Sequence, residues 1–63
     1  MLTNQQIQSM DVHILLSIVN MKLRNDFTSL PRLCQSFELN QTLLESKLNK
    51  AHYAYQASLN QFR

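Results

Sequence analysis

The sequence predicts a mainly α fold: a compact three-helix, helix-turn-helix-like bundle with a short N-terminal helix before it. A small C-terminal hairpin, which would make the fold winged-helix-like, is one of two endings open to the tail. Three observations carry this prediction. Residues 12–24 place apolar side chains around most of a helical wheel. Residues 30–48 space theirs as two short helices about a tight turn. The chain has 63 residues, 44% hydrophobic and 16% charged, which suits one folded domain over residues 1–63.

Thr3 is a suitable N-cap for an opening helix to about Ser9, with Ile7 and Met10 turned inward. Asp11 then caps the main helix, about Val12 to Arg24. On the wheel His13, Ser17, Asn20 and Arg24 share one narrow polar strip, at i, i+4, i+7 and i+11. Val12, Ile14, Leu15, Leu16, Ile18, Val19, Met21 and Leu23 form an apolar arc of roughly 220°, against a usual stripe nearer 100°. Such a helix is expected at the centre, covered on two or more sides. Lys22 falls inside the arc, so its stem is expected to pack while its ammonium reaches past the helix end.

Asn25-Asp26-Phe27 closes the main helix, and Thr28 or Ser29 caps a short one with Pro31 in its first turn. Leu30, Leu33, Cys34 and Phe37 fall at i, i+3, i+4 and i+7, one buried face. Glu38-Leu39-Asn40 is a tight turn, with Asn40 capping a helix from Gln41 to about Ala51. Leu43, Leu44, Leu48 and Ala51 face inward there; Thr42, Glu45, Ser46 and Asn49 face outward, with Lys50 at the edge. In the tail, Tyr53 and Tyr55 alternate with Ala54, and Phe62 can stand opposite them, which suits two short strands around residues 56–59. No Asn-Gly or Asp-Gly turn is present, so a continued helix remains the rival.

In residues 30–48, Leu33 and Phe37 pack the first helix of a helix-turn-helix and small Cys34 lies at the crossing. Leu39 plugs the turn, and Leu44 and Leu48 anchor the second helix. Glu38 departs from the Gly such a turn prefers, and Lys47 stands at a usually apolar position. Beyond this segment, Leu2-Thr3-Asn4, Ser9-Met10-Asp11, Ile14-Leu15-Leu16-Ser17 and Val19 to Arg24 belong to a wider pattern. So do Ser29-Leu30, Leu33-Cys34, Tyr53, Tyr55 and Asn60-Gln61-Phe62. Together they resemble a bacterial family, domain-of-unknown-function family 4250. The family pattern has Pro where Val12 stands, Gly where His52 stands and Asp where Gln56 stands. Without that Gly the end of the last helix, and with it the hairpin, is open. The resemblance implies a compact bacterial domain and no particular chemistry.

Several function classes are disfavoured by composition. With no glycine there is no phosphate-cradling loop, and positive-φ positions are expected to fall to Asn or Asp, with Asn25 and Asn40 standing at suitable places. His13, His52 and lone Cys34 lack zinc-ligand spacing, so no metal and no cofactor is expected. His13 reads as a surface histidine and His52 as a helix C-terminal one. Cys34 lies on a buried helical face and cannot form an internal disulfide, and the four carboxylates are scattered, so no catalytic site is expected. No apolar run reaches the length of a membrane span, and no leader pattern opens the chain; a cytoplasmic location is expected.

The net charge of +2 falls entirely in residues 32–63, where Arg32, Lys47, Lys50 and Arg63 face Glu38 and Glu45. That is a weak field for a nucleic-acid binder. Two readings of function follow. The favoured one is a protein-interaction module that holds a protein partner through His13, Ser17, Asn20 and Arg24, or a second copy through surplus apolar surface with Leu16 and Leu23 in contact. The alternative is a DNA-binding helix-turn-helix with helix 41–51 in the major groove. There Thr42, Ser46 and Asn49 would meet base edges, and Arg32, Lys47 and Lys50 the phosphates.

Overall fold

The computed structural model describes residues 2–63, and each of its four helices begins at a side-chain cap. Helix α1 (Asn4–Ser9) starts with a reciprocal capping box: the Thr3 hydroxyl accepts from the Gln6 N–H at 3.1 Å, and Gln6 Oε1 accepts from the Thr3 N–H at 3.0 Å. Helix α2 (Val12–Asn25) starts at Asp11, whose Oδ2 accepts from the N–H groups of His13 and Ile14 at 3.0 and 3.2 Å. Helix α3 (Leu30–Phe37) starts at Ser29 with Pro31 in its first turn, where a missing N–H removes no intrahelical bond. Helix α4 (Gln41–Lys50) starts at Asn40, which accepts from the Leu43 N–H at 3.1 Å.

The tail forms the hairpin rather than a continued helix. Strands β1 (Tyr55–Gln56) and β2 (Gln61–Phe62) pair antiparallel, with Tyr55 opposite Phe62 and Gln56 opposite Gln61. Its turn, residues 57–60, manages without glycine because Asn60 takes the left-handed conformation at φ 52°.

Packing follows from the buried faces. Helix α1 lies along α4, while α2 contacts β2, α3 and α4. Ile7, Leu15, Val19, Leu23, Leu30, Leu33, Leu44, Leu48 and Phe62 are the large side chains wholly removed from solvent, so every helix and the hairpin contribute to one core. The radius of gyration of 10.3 Å matches the roughly 11 Å expected for one domain of this length.

Two expectations need correction here. Left-handed backbone falls at Glu38 (φ 56°), His52 (φ 70°) and Asn60, not at Asn25 or Asn40. Asn25 remains helical, and Asn40 caps α4 at φ −77°. Both α3 and α4 end in Schellman motifs. Leu39 N–H reaches back to Cys34 O at 2.8 Å, and Tyr53 N–H reaches Leu48 O at 3.0 Å, and the residue before each is left-handed. The second correction concerns the edge of the apolar arc of α2: the helix packs against β2, α3 and α4, yet part of the arc stays uncovered. Leu15, Val19 and Leu23 are buried and Val12, Leu16 and Ile18 half-buried, whereas Ile14 and Met21 are 56% and 52% exposed. Leu23, at 2% exposure, is no surface contact; three short helices and a two-stranded hairpin suffice only for the inner half of α2.

Candidate functional site

The polar strip of α2 divides once the chain is folded. Asn20 is half-buried and clamps the hairpin. Its Nδ2 donates to Phe62 O at 3.1 Å, and its Oδ1 accepts from Phe62 N–H at 2.8 Å, so its amide pairs with β2 as a further strand would. A second clamp begins at Asn60, whose Nδ2 donates to Leu23 O and Phe27 O at 3.0 and 2.9 Å. Its Oδ1 accepts from the Tyr55 hydroxyl at 2.7 Å, and that hydroxyl accepts from Leu30 N–H at 3.1 Å. The hairpin is thereby locked to the end of α2 and the start of α3. Two of these residues, Asn20 and Asn60, are polar groups that a wheel or strand pattern assigns to solvent.

His13, Ser17 and Arg24, the rest of the strip, are exposed. Tyr53 Oη lies 3.5 Å from His13 Nδ1, with the rings edge to face and centroids 6.1 Å apart. Ser17, Asn20 and Arg24 line an open groove of about 890 Å³ between α2 and the hairpin turn. Leu16, Met21 and Leu59 supply its apolar walls, and Leu59 is 51% exposed. Arg24 is the one charged residue lining this groove, and it makes no ion pair among the described residues. Lys22, close by, pairs with Asp26 at 3.8 Å and lies 5.9 Å above the Phe37 ring, its stem packed as expected.

On α4, Thr42, Ser46, Asn49 and Lys50 are exposed together around a shallow depression of about 440 Å³, with half-buried Glu45 among them. Lys47 departs from that set. Its ammonium donates to Gln8 O at 2.9 Å and to Met10 O, completing the carbonyls left open at the end of α1. This explains a lysine at an apolar register position. Arg32 is exposed on α3, in a separate depression with Asp26, Thr28, Gln35 and Ser36. Of the six residues of the DNA reading, Arg32 therefore lies apart on α3, and Lys47, though it lines a groove with Ser46 and Lys50, has its ammonium committed to α1.

Cys34 is buried. Removal from solvent pushes its thiol pKa up, with the Glu45 carboxylate adding to the shift, so the thiol stays neutral and unreactive. Among the described residues no cluster of His, Cys, Asp or Glu could hold a metal ion, and no helix is long and apolar enough to cross a membrane.

Fold and surface together define a small helical domain closed by a clamped C-terminal hairpin, with an open, mixed apolar and polar groove beside its central helix. A family comparison then places it: the chain belongs to the family described as Domain of unknown function (DUF4250), whose profile matches residues 9–62. Leu2-Thr3-Asn4, part of the resemblance read from the sequence, lies outside that match. Neither a curated protein nor a solved structure matches the chain.

Proposed function

We propose that this chain is a non-catalytic protein-interaction module of the cytoplasm whose docking face is the outward side of α2 together with the hairpin turn. One observation carries the reading. Among the described residues, Ile14, Met21 and Leu59 are the large apolar side chains left more than half exposed, and Met21 is linked to each of the other two. Ile14 and Met21 are two turns apart on one face of α2, and Met21 and Leu59 line one groove. Half-buried Ile18 joins the first two, giving an i, i+4, i+7 stripe rimmed by Ser17, Arg24 and Asn25. An apolar stripe with a polar rim is the usual composition of an interface. The strip of His13, Ser17 and Arg24 serves as that rim, while Asn20 belongs to the fold.

Affinity capture tests this, with the immobilised domain exposed to an extract of the cells it comes from. A partner held by the wild type and lost from both Ile14→Lys and Met21→Lys is expected. Capture unchanged by either substitution would overturn the assignment of the face. The DNA reading has the joint exposure of Thr42, Ser46, Asn49 and Lys50 in its favour. It loses Lys47 to α1, and few free cations release few counterions, so binding should be weak and vanish at moderate salt. Sequence-selective binding abolished by both Asn49→Ala and Lys50→Glu would replace the interaction reading.

A further inference from the structure

The docking face on α2 repeats its own complement when reversed, and this says what can cover it. We propose that its occupant is a second copy of the chain, with the two α2 helices antiparallel about a two-fold axis passing near Ser17 and Ile18. The inference rests on the interaction reading above and deepens it by naming the partner.

The apolar stripe fits such a mate. Reversal sets Ile14 of one copy opposite Met21 of the other and brings Ile18 beside its own counterpart, so each exposed apolar side chain meets another. A two-fold contact must be self-complementary in this way. Leu59, across the groove from Met21, comes to the level of the second copy's Ile14 and widens the contact beyond one helix pair.

Charge selects the direction. The N-cap of α2 is Asp11, and its last turn carries Lys22 and Arg24. Antiparallel packing brings the acidic end of each helix to the basic end of its mate and opposes the two macrodipoles. Parallel packing would set Arg24 against Arg24 and align the dipoles. Asp11 is free to take part, since it caps α2 through Oδ2 alone and its Oδ1 has no partner among the described residues. Arg24 is equally uncommitted.

The apolar stripe is short, about 11 Å from Ile14 to Met21 at the helical rise. Its contact is smaller than the roughly 800 Å² per partner of a standard stable interface. Association is therefore weak and reversible, at the low end of specific interfaces.

Sedimentation equilibrium from micromolar to millimolar protein tests the proposal, together with disulfide trapping in a Cys34→Ala background. Wild type should pass from monomer to dimer across that range, and Ile14→Lys and Met21→Lys should remain monomeric with unchanged circular dichroism. Ser17→Cys, next to the axis, should cross-link on mild oxidation, and Arg24→Cys, at the far end, should not. Monomer throughout the range would overturn the proposal. So would a dimer that survives both lysine substitutions, or cross-linking at Arg24→Cys. A monomeric protein that still captures a partner in a way Ile14→Lys abolishes would remove the second copy and leave the interaction reading intact. Failure of both experiments would remove both.

Discussion

Replacing His52 by glycine should stabilise the domain. His52 follows the last turn of α4 at φ 70°, with its N–H donating to Asn49 O at 2.9 Å and the next N–H, from Tyr53, reaching Leu48 O at 3.0 Å. The left-handed conformation is fixed by these two bonds, and for a residue with a Cβ it costs roughly 1–2 kcal/mol. The side chain returns little, since it is exposed and makes no hydrogen bond among the described residues. Glycine relieves the steric cost but adds freedom to the unfolded chain, worth about 0.4–1 kcal/mol in the opposite direction. The net gain is about 0.5–1 kcal/mol, and for a domain of this size it should raise Tm by roughly 2–8 °C. Thermal and urea unfolding followed at the helical circular dichroism band would measure it. His52→Val, which adds a β-branch to the same backbone, should lower Tm. A glycine variant no more stable than wild type, beside a valine variant equally stable, would refute the argument that the Schellman turn holds strain at this residue.

Two further outcomes follow from groups whose partners are visible. Asn60→Asp should destabilise by about 2–4 kcal/mol, since it sets a carboxylate against Leu23 O and Phe27 O where an amide donated to both. Urea unfolding would measure the loss, and a variant within about 0.5 kcal/mol of wild type, inside the ordinary range for surface changes, would show the hairpin clamp to be dispensable. Cys34 gives a pH dependence. Because burial raises its folded pKa, its contribution is fully present below the unfolded thiol value of about 8.5 and is lost as pH rises through the folded value. Stability should therefore decline in alkali more steeply for wild type than for Cys34→Ala, and native-state labelling of the thiol should be slow. Parallel pH profiles, or rapid labelling, would contradict its burial.

The parts of the fold legible in the sequence are those decided within a few residues. Thr3, Asp11, Ser29 and Asn40 cap their helices because a short side-chain acceptor lies within three residues of the N–H it satisfies. The buried face of α3 was legible for a similar reason, since its period is complete in two turns. The candidate site was only half legible. His13, Ser17 and Arg24 stand exposed as the wheel implies, but Asn20 on the same strip is drawn into the fold by a strand 42 residues away. Lys47 likewise answers to carbonyls 37 and 39 residues distant. Helical periodicity ranks a position by its own polarity and has no access to distant backbone groups that need a donor.

The same reasoning accounts for Glu38 and His52, which nothing in their own chemistry marks for a left-handed turn. The determinant is the residue after each. Leu39 is buried, and Tyr53 is half-buried and packed against the core. To bring such a side chain back against the helix that has just ended, the chain must reverse within one residue, and the Schellman geometry does this through left-handed backbone. In a chain without glycine, whichever residue precedes that apolar return must accept the strain. The end of α2 differs: Asp26 N–H and Phe27 N–H both bond to Lys22 O, and Phe27 packs against the core, yet Asn25 stays helical and Asp26 takes φ −121°. At the ends of α3 and α4, then, the left-handed residue is the one that precedes an apolar return, whatever its own tolerance, whereas at Asn60 a tolerant residue takes that conformation in the hairpin turn.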